Sequence, residues 1–267
     1  MAITRIGKPA VVIDIGTSLT IIGFAGENRP RFSFPTVVGY PSIDKFTGDN
    51  FEPEYYIGQD LFESMPPRLV YPIKAGLIED WNAIEAIYEH SFSLLKVTPS
   101  KTRVLMTENA FNPRENKERL TQMLFHDFGV SHLFHAQRSV LALIAIQKRS
   151  GIVIDFEPDY VSIVPVYEEY SIPHAMRLHD PPTTTGLEIP FIAKQIGNLL
   201  DEVDSDIHDT LCNKIVLTGS STTTPNFEKI LLEELQKTSP SVKSFSIIAT
   251  PDRLYLPWLG GSIFGDR

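Results

Sequence analysis

The chain has 267 residues, 42% hydrophobic and 21% charged, enough for one large domain or two modest ones around a real core. A net charge of -9 and a pI near 5.3 offer no positive footprint for phosphate contacts, so direct nucleic-acid binding is not expected. A single cysteine, Cys212, excludes an intrachain disulfide framework, and no apolar run approaches the ~20 residues that span a bilayer. With no glycosylation sequon and no basic-then-apolar leader pattern, the expectation is a soluble intracellular protein without a membrane partner.

In chain order, Ala10-Val11-Val12-Ile13-Asp14-Ile15 is an apolar, β-branched run ending in Asp and a turn, and it predicts a buried strand. Residues 19–25 and 31–38 predict two more strands, and residues 46–69, rich in Pro, Gly, Tyr and acids, predict a surface excursion. Ile84, Ile87, Tyr88, Phe92 and Leu95 recur at helical spacing, as do Leu120, Met123, Leu124 and Phe128, with a short strand at 103–107 between them. Gly151-Ile152-Val153-Ile154-Asp155-Phe156 then echoes the opening run. It is followed by predicted strands at 160–166 and 171–178, a helix marked by Ile189, Ile192, Ile196, Leu199 and Val203, and a strand at 214–218. The expectation is an α/β chain of two βββαβα halves, 1–138 and 139–267, with 39–69 as a small subdomain and the two Asp turns facing each other across a cleft.

The Asp14-Ile15-Gly16-Thr17-Ser18 turn offers backbone N–H groups and two hydroxyls to an anion, and Asp14 could hold Mg²⁺ through water. The bland reading is a tight turn in which Gly16 supplies backbone freedom. Gly219-Ser220-Ser221-Thr222-Thr223-Thr224-Pro225 reads equally as a nucleotide-contacting turn or as a strand-to-helix junction with Ser221 or Thr224 near the N-cap and Pro225 in the first turn. Cys212 reads as a small buried hydrophobe, and His126, His132 and His135 lack metal-ligand spacing. Asp201, Glu202, Asp204, Asp206 and Asp209 read as a solvated helix end, since a calcium loop needs other spacing and a glycine.

Longer strings carry a resemblance. Gly23-Phe24-Ala25-Gly26-Glu27-Asn28-Arg29-Pro30-Arg31, Val70-Tyr71-Pro72-Ile73-Lys74-Ala75-Gly76-Leu77-Ile78-Glu79-Asp80-Trp81, Leu105-Met106-Thr107-Glu108-Asn109-Ala110-Phe111-Asn112-Pro113 and Trp258-Leu259-Gly260-Gly261-Ser262-Ile263 closely resemble the actin and actin-related family, in the same order. The resemblance implies an actin-like ATPase fold, two ribonuclease-H-like halves with Mg-ATP between them. It places ATP contacts at Gly16, Thr17, Ser18, Asp155, Gly219 and Ser220, and a water-mediated Mg²⁺ at Asp14 and Asp155.

The departures from the family are as informative. The family's phosphate-binding lysine falls at Ile21, its water-positioning glutamine at Arg138 and the assisting histidine at Ser162. Its second glycine-rich phosphate turn reads Asp155-Phe156-Glu157-Pro158-Asp159-Tyr160, with a proline that lacks an N–H and an added carboxylate. Between Arg177 and Cys212 there is room for a single helix where the family inserts its fourth subdomain, and the sequence stops at Arg267, ahead of the family's C-terminal helices. The resemblance therefore implies a shortened actin-related protein with a degenerate ATP site, no catalytic residue and weak ATP/Mg binding. It implies a cytoskeletal or complex subunit whose partners are actin, actin-like subunits or a larger assembly, in the cytoplasm or alternatively the nucleus. The competing expectation is a slowly hydrolysing mini-actin that polymerises.

Overall fold

The computed structural model describes residues 8–41, 54–66, 68–181, 188–240 and 242–267. The first half opens with β1 (Val11–Ile15), β2 (Leu19–Phe24) and β3 (Phe32–Pro35), an antiparallel meander. A small sheet then pairs β4 (Val38–Tyr40) with β5 (Arg68–Val70), with α1 (Gln59–Ser64) between them in sequence. Residues 42–53 and 67 of the expected excursion lie outside the described residues. A hairpin of β6 (Ile73–Lys74) and β7 (Leu77–Ile78) leads to α2 (Trp81–Leu94). Asp80 starts that helix by accepting the Ala83 N–H at 2.9 Å. After β8 (Arg103–Glu108) come α3 (Arg114–His126) and β9 (His132–Gln137), and both strands extend β1 in parallel, giving the order β3-β2-β1-β8-β9.

From β9 the chain enters α4 (Arg138–Ala145) and then the second half, where β10 (Gly151–Phe156) and β11 (Val161–Tyr167) repeat the opening hairpin. The third strand expected at 171–178 is broken. β12 (Tyr170–Ser171) and β13 (Arg177–His179) both pair with β11, separated by a 3-10 turn at Pro173–Ala175, because Pro173 has no N–H to give the ladder. The single helix expected before Cys212 is two, α5 (Glu188–Leu200) and α6 (Ser205–Cys212). The acidic stretch therefore straddles a break: Asp201 and Glu202 follow α5, and Asp206 sits in the first turn of α6, where a carboxylate favours helix initiation. β14 (Ile215–Thr218) pairs in parallel with β10 and with β15 (Ile247–Ile248), and between them runs α7 (Phe227–Thr238). Asn226 occupies the α7 N-cap position, not Ser221 or Thr224, and Pro225 lies ahead of the helix. Those hydroxyls serve the preceding 3-10 turn, with Thr224 Oγ1 donating back to the Ser221 carbonyl at 2.9 Å.

Both sheets are covered on both faces, which explains why β1 and β10 read as unbroken apolar runs. Val11 and Ile13 face α2 and α3, whereas Val12 packs with Ile21, Leu105 and Trp258 of the final helix, α8 (Leu256–Gly265). Ile152 and Ile154 face α5 and α7, and Val153 packs toward Leu143 of α4. So α4 and α8 form a layer between the sheets, and the end of the chain packs back onto the first half. Gly260 lets them cross closely, since a Cβ there would lie 1.8 Å from the Leu141 carbonyl oxygen. The buried Trp258 indole N–H donates to the Val12 carbonyl at 3.1 Å. Cys212 is buried on α6, and burial, with Asp209, pushes its thiol up to about 12. No described helix is long and apolar enough to cross a membrane.

Candidate functional site

The duplicated hairpins place the β1–β2 turn and the β10–β11 turn at the same ends of their sheets, and the N-terminus of α4 enters between them. The first residue of α4, Arg138, is buried and joins the two halves. Its Nη1 donates to Asp14 Oδ1, and its Nε lies 3.6 Å from Asp155 Oδ2. Thr107 also donates to Asp14 Oδ1, and the Tyr160 hydroxyl donates to Asp155 Oδ2 at 2.6 Å. The guanidinium lies beneath the Asp-Ile-Gly turn, where a Cβ at Gly16 would sit 3.4 Å from Nη1.

Burial raises the Asp14 carboxyl pKa, with Arg138 and Thr107 pulling it back. Burial works against the Arg138 charge, but Asp14, Asp155, Tyr160 and Glu157 together raise its pKa, so the guanidinium stays charged. The phenol of Tyr160 is pushed well up by its own burial and by Asp155.

Glu157, a buried carboxylate in the second turn, is the second notable group. Its Oε2 accepts the Ser18 hydroxyl at 2.8 Å and the Ser220 hydroxyl at 2.5 Å. Burial, then Asp155, raises its pKa, and the hydrogen bonds from Ser220 and Ser18 and the charge of Arg138 oppose the rise. The turn is closed by the Glu157 N–H donating to the Tyr160 carbonyl at 2.9 Å, which leaves Pro158 exposed. Asp159 reaches the first half by accepting the Ala75 N–H at 2.7 Å. Three contacts thus tie the second turn to the first half: Glu157 with Ser18, Asp155 with Arg138, and Asp159 with Ala75.

Each residue expected to touch nucleotide now has a place. The Gly16 N–H donates to the Leu19 carbonyl at 2.8 Å, closing the first turn. Thr17 and Ser18 line a cavity of about 490 Å³ with Tyr71, Lys74, Pro158 and Asp159. Gly219, at φ +90°, allows the β14 turn to pass Phe156, whose carbonyl oxygen would lie 2.4 Å from an added Cβ. Asp14 and Asp155 meet at Arg138, and Ser18 and Ser220 meet at Glu157.

Several of the groups expected to meet Mg-ATP are paired with one another instead. The two carboxylates that would hold the metal's waters are bridged by a guanidinium. The Ser18 and Ser220 hydroxyls already donate to a carboxylate and Pro158 supplies no N–H, whereas the buried Thr17 hydroxyl has no partner among the described residues. Ile21, at the position of the family's lysine, is 2% exposed within the apolar layer beside Trp258. Sequence reasoning registered Arg138 and Glu157 only as losses. The available signal was complementary charge, one arginine among Asp14, Asp155 and Glu157, but pairing them required the two hairpins in space.

The family model described as Actin matches residues 7–182 and 180–267. With two duplicated sheets, each opening on an Asp-terminated strand, and the glycine-mediated crossing of α4 and α8 between them, the chain belongs to the actin family.

Proposed function

We propose that this chain is a non-hydrolysing actin-family subunit that acts through protein contacts and whose two facing turns are tied together by its own side chains. The observation that carries this reading is Arg138 bridging Asp14 and Asp155. A fixed guanidinium takes the place of the cation that the fold would otherwise recruit, and the Glu157 carboxylate takes the place of an anion between Ser18 and Ser220. Phosphoryl transfer depends on several preorganised donors acting together, and here the Ser18 and Ser220 hydroxyls and the Arg138 Nη1 are already engaged by carboxylates. The two halves, 1–138 and 139–267, then form a clamp whose closure needs no ligand. Its partners are actin-like subunits or a larger protein assembly in the cytoplasm or nucleus. The test is sedimentation, negative-stain imaging and phosphate release with the purified chain and Mg-ATP. Neither ordered filaments nor turnover is expected; either one would instead support a polymerising ATPase.

A further inference from the structure

β1, β8 and β9 run parallel, so their starts share a rim at the end of the sheet opposite the cleft. That rim holds a cavity of about 270 Å³ lined by Lys8, Phe24, Val97, Lys101, Arg103 and His132, among others. Lys8, Lys101, Arg103 and His132 are exposed, and no Asp or Glu lines the cavity, although the chain carries a net charge of -9. Arg103 is oriented by donating from Nη2 to the Lys8 carbonyl at 2.6 Å, which also fixes the two basic residues beside each other. Glu27, three residues beyond Phe24, is committed to Arg31 at 2.7 Å and to the Phe24 N–H at 3.2 Å. Beneath the charges lie Val11, which is fully buried, and the half-buried Phe24 and Val97.

We infer that this basic rim is a docking site for an acidic peptide segment of a partner protein, with carboxylates around one apolar side chain. Positive groups surround the mouth and apolar carbons form the floor, which is the complement of such a segment. A folded polyanion is a poor match. Nucleic acid or an anionic bilayer would bring many charges against an acidic protein, and three exposed cationic side chains, Lys8, Lys101 and Arg103, cannot offset that repulsion. The site is remote from the cleft and stands independently of how the cleft is read.

The probe is a fluorescein-labelled peptide of alternating Glu and Asp with one central Leu, followed by anisotropy. Saturable binding is expected at low salt, weakening by about tenfold or more in ~0.3 M NaCl, because the contacts are exposed charges. Lys101→Glu and Arg103→Glu should each weaken binding by about tenfold, whereas Lys229→Glu on α7 should leave it unchanged. Replacing the central Leu of the peptide by Ser should weaken binding a few-fold. Should Arg103→Glu fail to fold after losing its bond to the Lys8 carbonyl, Lys101→Glu carries the same test. Equal binding by Lys101→Glu, no saturable binding by the wild type, or tighter binding to single-stranded RNA or phosphatidylserine vesicles would each overturn the inference.

Discussion

The two hairpin turns that open the two halves hold equivalent places in the fold, yet they present opposite chemistry. At 14–18 the turn keeps a glycine and two hydroxyls, the equipment for meeting an anion. At 155–160 the corresponding turn carries Glu157 and Pro158, which bring a negative charge and remove a donor. The second turn supplies the anion that the first turn's Ser18 binds, and Arg138 supplies the cation that both aspartates need. The duplicated backbone thus sets complementary charges of its own chain at equivalent points of the two turns.

The comparison breaks most visibly at Arg138. Arg138→Met leaves Asp14 and Asp155 buried without their partner, and urea unfolding should show a loss of about 3–5 kcal/mol. In an Asp14→Asn background the same change should cost less, because the residues act as a unit. A smaller effect is expected at Ser18, where Ser18→Ala removes one donor to the Glu157 carboxylate. Its cost should be about 1.5–3 kcal/mol, with Ser220→Ala comparable, measured by the same unfolding midpoints.

Glu157→Gln should have a still smaller effect, and its sign depends on pH. The folded-state pKa of Glu157 is raised, chiefly by burial, so the folded protein binds its proton more tightly than the unfolded chain does. The resulting stability is fully present below the ordinary glutamate pKa and is lost as pH rises through the raised one. Wild type should therefore gain on Glu157→Gln as the medium is acidified from neutral, read as the difference between their thermal midpoints. A difference that moves the other way would show that the two serine hydroxyls outweigh burial. At the small end, Ile21→Lys should leave the thermal midpoint insensitive to Mg-ATP, since one restored charge cannot displace Glu157 from Ser18 and Ser220.

Much of the frame was legible because its strands are buried on both faces. Val11 to Ile13 and Ile152 to Ile154 announce themselves as apolar runs, and the spacing of Ile192, Ile196 and Leu199 marks α5. β9 gave no such signal, because His132 and Phe134 are exposed at the sheet edge and dilute its apolar pattern. α6 hid inside an acidic stretch with few apolar residues, Ile207, Leu211 and Cys212 among them. In the site, the two Asp turns and Gly16 of the first were readable from local chemistry. The Asp14–Arg138–Asp155 bridge was not, since its members lie far apart in sequence and meet only when two sheets pack against α4.

The central claim is that internal charges fill the cleft in place of nucleotide. Its most direct test is the nucleotide content of natively purified protein, measured by denaturing release and chromatography after extensive dialysis. The account predicts far less than one nucleotide per chain, with or without added Mg-ATP. One ATP or ADP retained per chain would contradict it, because the Arg138 bridge and the Glu157 carboxylate could not then hold the positions described.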